Sequence, residues 1–330
     1  MSSSAHDPAA VGVDIGGTSI KVAVVARDQT VLSRRSLPAD QREAPGLAVA
    51  RLALSLRELQ GEAGDLSLPV GIGCAGLIER GPGIVRTAPN LPTWKDVPLA
   101  GMLAEELGTW VLLDNDANVF SVAEGFYGTA RDKDDAIFVT LGTGVGGGLK
   151  LAGRLYRGSR GFAGEIGHMT IDPDGPLCTC GNRGCLESFI GSSRIVQRAL
   201  ALIEEERRER EWLAAGLTSL KEITAKHLGE AARKGNELAV RVFEEVGDYL
   251  GLALANLTNI LNPEVIVVGG GVANAGRPLF RAAELSLTKR AMGPSRQCVD
   301  IWPASFGDDA GVVGAAMIAV GNRHDRGLES

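Results

Sequence analysis

One local pattern occurs twice in this chain. Val11 to Ala26 reads as strand, Gly-Gly turn, strand, and Ala136 to Tyr156, "AIFVTLGTGVGGGLKLAGRLY", repeats it. A duplicated strand-turn-strand unit narrows the choice of fold sharply, because each copy has to seed a sheet of its own. Around the first copy, strands are expected at Val11 to Asp14, Ile20 to Ala26 and Thr30 to Ser36. A helix is expected from Leu47 to Glu62, a buried strand in "LPVGIGCAG" and another in "WVLLDND". Around the second come a long helix over Asn236 to Asn262, the apolar strand "EVIVVGGG", a helix near Pro278 to Arg290, a strand near Val299 and a closing helix from Gly311. The fold class is therefore α/β, in two similar lobes with a ligand cleft expected between them.

The chain has 330 residues, enough for two domains. We expect a small lobe over 1–118, joined by the closing helix at about 311–330, and a large lobe over 119–310. With 45% hydrophobic and 22% charged residues the composition is that of a soluble globular protein, and a net charge of −6 without a basic cluster speaks against nucleic acid or anionic membrane as partner. No signal-peptide pattern opens the chain and no run reaches the length of a membrane span, so a cytoplasmic location is expected. The mixed-charge run Glu204 to Glu211 reads as a solvated helix face, and the tail "GNRHDRGLES" as a frayed end.

The two turns, Gly16-Gly17-Thr18 and Gly142-Thr143-Gly144, present backbone N–H groups with little side chain in the way, a cradle suited to phosphate. Asp14, just before the first, is placed to hold Mg²⁺ directly or through water. A plain hairpin explains the first turn equally well. Gly142, Gly144 and Gly147 fit G-x-G-x-x-G, but a strand-like "GLKLAGRLY" follows where a dinucleotide fold needs a helix. Neither turn carries the lysine and hydroxyl of a P-loop. A third run, Gly269 to Gly271, follows a buried strand and suits either a base or ribose, or a simple tight turn.

"DNDAN", Asp114 to Asn118, ends an apolar strand. A carboxylate there can take the proton of a substrate hydroxyl. Either aspartate qualifies on this ground, and a turn or N-cap role is expected of one of them. Three of the five cysteines crowd into "CTCGNRGCLE". Cys178, Cys180 and Cys185 with His168 supply four ligands, the number a closed, structural Zn²⁺ takes, while Cys74 and Cys298 read as core residues. That knot would bring Glu165 and Glu187 together, where they could accept the hydroxyl hydrogens of a polyol. Paired acids also suit glycoside hydrolysis, a chemistry with no use for two phosphate-type turns.

In their order, "DIGGTSIK", "NDAN", "LGTGVGGG", "GEIGH", "CTCGNRGCLE" and "LNPEVIVVGGG" resemble the ROK family of sugar kinases and repressors, most closely its bacterial glucokinases, from about Val11 to about Gly321. The resemblance implies a duplicated actin/hexokinase-like ATPase fold closing on a hexose and ATP with Mg²⁺. It implies Asp116 as catalytic base. It puts Asn90, Asn115, Asp116, Glu165, His168 and Glu187 on the sugar, His168 through the ring nitrogen that does not bind zinc. Asp14, Gly16, Gly17, Thr18, Gly142, Thr143, Gly144 and Gly270 would face nucleotide and metal, with Lys21 matching the same motif. Gly76 would touch the sugar, although this chain has Ala75 where many members have proline. About ten residues precede Val11, which favours an enzyme over the family's helix-turn-helix repressors. Kinases for N-acetylhexosamines or mannose, and a non-catalytic sugar-responsive regulator, remain the alternatives. ATP or polyphosphate as donor, and a homodimer or homotetramer, are left open.

Overall fold

The computed structural model describes residues 5–207, 212 and 219–321. The end of the run Glu204 to Glu211 and all of the tail after Gly321 lie outside the described residues. Glu204 to Arg207, its described part, is exposed as expected. The chain forms two compact units. One holds the described residues of 1–134, 148–164 and 305–330, the other those of 135–147 and 165–304.

The strands are β1 Pro8–Ile15, β2 Ser19–Ala26, β3 Val31–Pro38, β4 Val70–Cys74, β5 Leu77–Glu79, β6 Ile84–Thr87, β7 Lys95–Val97, β8 Val111–Asn115, β9 Ala136–Leu141, β10 Val145–Leu151, β11 Arg154–Leu155, β12 Val265–Gly269 and β13 Asp300–Pro303. One five-stranded sheet has the order β3-β2-β1-β4-β8 and the other β11-β10-β9-β12-β13. Strand for strand the two orders correspond, which is the duplication read from the glycine turns. In the first sheet β1 runs antiparallel to β2 and parallel to β4, and β4 parallel to β8. In the second, β12 is parallel to β9 and to β13. A small sheet, β5-β6-β7, has no sequence expectation behind it. Its strands are three or four residues long, too short for an alternating pattern to register.

The helices are α1 Pro45–Glu62, α2 Leu99–Leu107, α3 Asp116–Val122, α4 Glu187–Ile190, α5 Ser192–Glu205, α6 Ala225–Arg233, α7 Glu237–Leu261, α8 Arg277–Arg290, α9 Gly293–Arg296 and α10 Ala310–Ala319. On α1, Leu52, Leu56 and Leu59 are buried, the apolar stripe seen in the sequence. Helix α7 starts on Asn236, whose side chain accepts from the Ala239 N–H, and stops at Asn262, which takes the left-handed conformation at φ 46°.

Close backbone approach shapes the first unit. Helix α10, "AGVVGAAMIA", is buried along its length and packs on β1, β4 and α3. A Cβ at Gly12 of β1 would lie 1.9 Å from the Val312 carbonyl oxygen, and one at Gly71 of β4 1.7 Å from that of Ala315. Small residues here hold the helix against β1 and β4, whose ends carry Asp14 and Cys74. Cys74 is buried in β4 as expected, but Cys298 is exposed, before β13, and is no core residue. Its place in a connection between α9 and β13, with polar Gln297 ahead, accounts for the difference.

Candidate functional site

In the first turn the Gly16 N–H donates to the Ser19 carbonyl (3.0 Å), and Asp14 pairs across the hairpin with Lys21. The Asp14 carboxyl abuts the first turn of α10, since a Cβ at Gly311 would come within 2.7 Å of its Oδ2. Burial raises its pKa above the ordinary carboxylate value, and the Lys21 charge opposes the rise. The Lys21 ammonium donates to the Asp308 carbonyl at 3.3 Å, in the turn that leads into α10, so the strand lysine has a structural partner. Gly17 lies against Asn90: a Cβ there would be 2.9 Å from Asn90 Cγ. The turn expected to face nucleotide and a residue expected on the sugar therefore touch within one unit.

At the end of β8 the two aspartates part company. Asp114 is 2% exposed. Its Oδ1 accepts from the Asn115 N–H and from Asn118 Nδ2, each at 2.9 Å, while Oδ2 accepts from Arg157 Nε at 2.9 Å and faces Arg157 Nη2 at 2.7 Å and Arg80 Nε at 3.4 Å. Asp116 is half-buried and opens α3, its Oδ1 accepting from the Ala117 N–H at 2.9 Å. The N-cap expected of one aspartate belongs to neither. Asn115 holds it, accepting from the N–H groups of Ala117 and Asn118, and its amide donates to the Gly76 carbonyl at 3.1 Å. Gly76 needs to be glycine: φ is +128°, and a Cβ would stand 2.1 Å from the Thr87 oxygen. Cys74 is fully buried next to these groups, and burial pushes its thiol far up, so it is inert.

In the second unit, His168, Cys178, Cys180 and Cys185 offer ligand atoms all within 4.8 Å of one another, a group able to hold a metal ion. Cys180 Sγ is 3.7 Å from Cys185 Sγ, and Cys178 Sγ is 3.7 Å from His168 Nδ1. The other ring nitrogen of His168, Nε2, faces Glu165 Oε2 at 3.9 Å. Burial and the neighbouring thiols push Cys185 up to about 12, whereas a backbone N–H from Asn182 draws Cys180 down. The loop is shaped for this: Gly184 has φ +67° and no room for a Cβ, which would fall 1.5 Å from the Asp172 oxygen. Burial, aided by Glu187, raises the Glu165 carboxyl against the pull of His168.

Glu187 joins this knot to the second glycine turn. Its Oε2 accepts from the Val145 N–H at 3.0 Å, its Oε1 accepts from Thr179 Oγ1 at 3.2 Å, and a Cβ at Gly144 would reach Oε2 at 2.4 Å. Gly167 of "GEIGH" is pressed on Val145, where a Cβ would be 2.1 Å from the carbonyl oxygen. Ser192, at the start of α5, donates its N–H to the Gly142 carbonyl at 3.0 Å and holds the turn from behind. Gly270 adopts φ +88° over the Leu141 carbonyl. The run of three glycines leads into a 3₁₀ turn, Gly271–Ala275, with α8 following.

Residues 10–322 match the model of the ROK family. The chain belongs to the ROK family. Of its relatives, the glucokinase of Thermotoga maritima is 36% identical over 309 residues, which span 93% of this chain and 96% of that one. Among solved structures, a ROK family glucokinase from Streptomyces griseus in complex with glucose and AMPPNP aligns with a TM-score of 0.85 at 32% identity, covering 94% of this chain and 98% of that chain. A ROK family transcriptional regulator, a homolog of the E. coli MLC protein, aligns with a TM-score of 0.81 at 28% identity over 94% of this chain and 77% of that one. The ROK chain described here thus has the duplicated actin/hexokinase-like α/β fold. Arg157 and Arg80 escaped the sequence reading. Nothing in "LYRGSR" or "IERG" separates a buried arginine from a solvated one, and only the fold brings both to Asp114.

Proposed function

We propose that this protein is an ATP-dependent hexose kinase that makes glucose 6-phosphate from glucose, with Asp116 as catalytic base. The observation that carries the choice of base is the contrast at the end of β8: Asp114 is buried and surrounded by donors, while Asp116 opens α3 half-exposed. In this reading the sugar's 6-oxygen attacks the γ-phosphorus in line as its proton passes to the Asp116 carboxylate, and the bond to the ADP oxygen breaks. Asn90, Asn115, Gly76, Glu165, His168 and Glu187 hold the sugar hydroxyls in this reading. Asp14 with Gly16, Gly17, Thr18 and Lys21, and Gly142, Thr143, Gly144 and Gly270, serve the nucleotide; Asp14 would hold Mg²⁺, which when bound would neutralise charge at the phosphates.

Zinc is the metal we assign to His168, Cys178, Cys180 and Cys185. A tetrahedral ion with Zn–S near 2.3 Å and Zn–N near 2.1 Å sets sulfurs about 3.8 Å apart and sulfur from nitrogen about 3.6 Å; the observed separations are both 3.7 Å. Four ligands would close the site, so zinc there would be structural and would leave His168 Nε2 for the sugar. The two compact units are the two lobes in this reading. It also includes a cytoplasmic location and a homodimer or homotetramer. Among the described residues no helix is long and apolar enough to cross a membrane.

The test is ADP release with Mg²⁺ and ATP across glucose, mannose, fructose, N-acetylglucosamine and N-acetylmannosamine, with polyphosphate as a second donor. Glucose with ATP should lead. Asp116→Asn should lower kcat by roughly 10²- to 10⁴-fold, the usual worth of a general base, with sugar binding still measurable. Turnover within a few-fold of the parent would reject the assignment.

A further inference from the structure

Asp114 lies where three chain segments meet, and each of them leads to a residue assigned above to the sugar. The first is the end of β8 with α3, which carries Asn115 and Asp116; Asp114 Oδ1 takes the Asn115 N–H and the Asn118 amide, both at 2.9 Å. The second is the arm from Gly76 through β5 to Arg80, whose Nε stands 3.4 Å from Asp114 Oδ2. The third is the stretch 156–164, held by Arg157 at 2.7 and 2.9 Å from the same oxygen and running directly into Glu165. That stretch is also tied internally, the Ala163 N–H donating to the Arg157 carbonyl at 2.9 Å. Asn115 closes the circle through its bond to the Gly76 carbonyl. The carboxyl is 3% exposed and Arg157 11%, so water competes little for these bonds.

Such a cluster is poorly explained as a device for stability. A buried ion pair spends most of its attraction on desolvation, and an apolar replacement is often as good or better. What it does supply is geometry: the fork of Arg157 meets one carboxylate oxygen through two nitrogens and admits little rotation. We infer that Asp114 is a positioning residue for phosphoryl transfer, a hub through which Arg157 and Arg80 set the places of Asp116, Gly76 and the chain entering Glu165. The inference rests on the kinase reading. Misplacement of a reacting group by about 1 Å costs on the order of 10²-fold in rate, which sets the expected scale.

The experiment compares Asp114→Asn, Arg157→Lys and Arg80→Lys with the parent, measuring kcat, KM for glucose, KM for ATP, and glucose binding by titration. Asp114→Asn keeps size and one acceptor while removing the charge, and should lower kcat on the order of 10²-fold and weaken glucose binding, with KM for ATP within about twofold of the parent. Arg157→Lys keeps the charge but loses the fork, and should weaken glucose binding several-fold. Arg80→Lys, at the longest of the contacts, should do less. Should Asp114→Asn not fold, the two lysine variants decide alone. A hub of purely structural importance would lower the melting temperature of all three and leave kcat and both KM values at parental levels, and that outcome overturns the inference. Equal losses on glucose and ATP would overturn it too. Failure of the kinase reading shows separately, as a parent protein without turnover or an active Asp116→Asn.

Discussion

Gly314→Ala is a small change with a large expected consequence. Gly314 sits inside α10, where alanine is favoured over glycine by roughly 1 kcal/mol on helix propensity alone. The structure argues for the opposite sign. A Cβ at this position would lie 1.8 Å from the Val119 carbonyl oxygen and 2.6 Å from its carbon, both backbone atoms that no rotamer change can move. Relief to an ordinary carbon–oxygen contact near 3.4 Å requires α3 and α10 to separate by about 1.5 Å. Overpacking of this kind costs about 1–3 kcal/mol, and rigid backbone on both sides places this case at the upper end, so a net loss of about 2 kcal/mol is expected. The same displacement acts on chemistry, because α3 begins with Asp116 and the first turn of α10 abuts Asp14. A shift above 1 Å at either should lower kcat by more than tenfold. Urea unfolding gives the first number and steady-state kinetics with glucose and ATP the second. Gly101→Ala is the control: that glycine is also helical, in α2, but nothing lies within 4 Å of its Cβ position, so it should gain about 0.5–1 kcal/mol and leave kcat alone. Gly314→Ala as stable and active as Gly101→Ala would refute the reasoning on helix contact.

Other outcomes follow from the same structure. Elemental analysis should find about one zinc per chain, and Cys180→Ser should lose both the metal and turnover; a metal-free protein with full activity would end the zinc assignment. Asp14→Asn should abolish use of Mg·ATP while leaving the ligand-free protein as stable at neutral pH as the parent, or more so. The sign comes from burial: a carboxyl whose folded-state pKa is raised opposes folding once ionised, an effect that grows as pH rises from the unfolded value through the folded one and is relieved by acid. Ligand-free Asp14→Asn clearly less stable than the parent at neutral pH would contradict it. If zinc occupies the His168, Cys178, Cys180, Cys185 site, a chelator should weaken glucose binding before it affects ATP, because His168 and Glu187 belong to the knot; an unchanged glucose titration would separate the two.

Much of this was legible in the residues because the signals were local. Glycine turns between β-branched strands announce themselves within a dozen residues, and so did β1, β2, β9 and β10; the asparagines at 236 and 262 marked the two ends of α7 to within a residue. The metal-capable cluster was legible for the same reason, three ligands lying inside eight residues. Where partners are remote, the sequence was silent. The choice between Asp114 and Asp116 turns on Arg80 and Arg157, which approach from segments 34 and 43 residues away, and the N-cap passed to Asn115 because strand β8 runs on to that residue, two beyond its last apolar one, Leu113. Cys298 was misjudged because hydrophobic character says nothing of where a connection meets solvent.

The route of the chain bears on how this protein comes into being. Sheet β3-β2-β1-β4-β8 is spelled out by residue 115, yet the helix that covers β1 and β4 is α10, Ala310–Ala319, nearly two hundred residues later. During synthesis β1 and β4 therefore emerge long before the helix that packs on them. The second unit, whose long stretch 165–304 emerges before α10, can close first. Domains of most chains fold in the order they are made. Here the first unit is expected to complete its packing after the second, once α10 can reach Gly12 and Gly71.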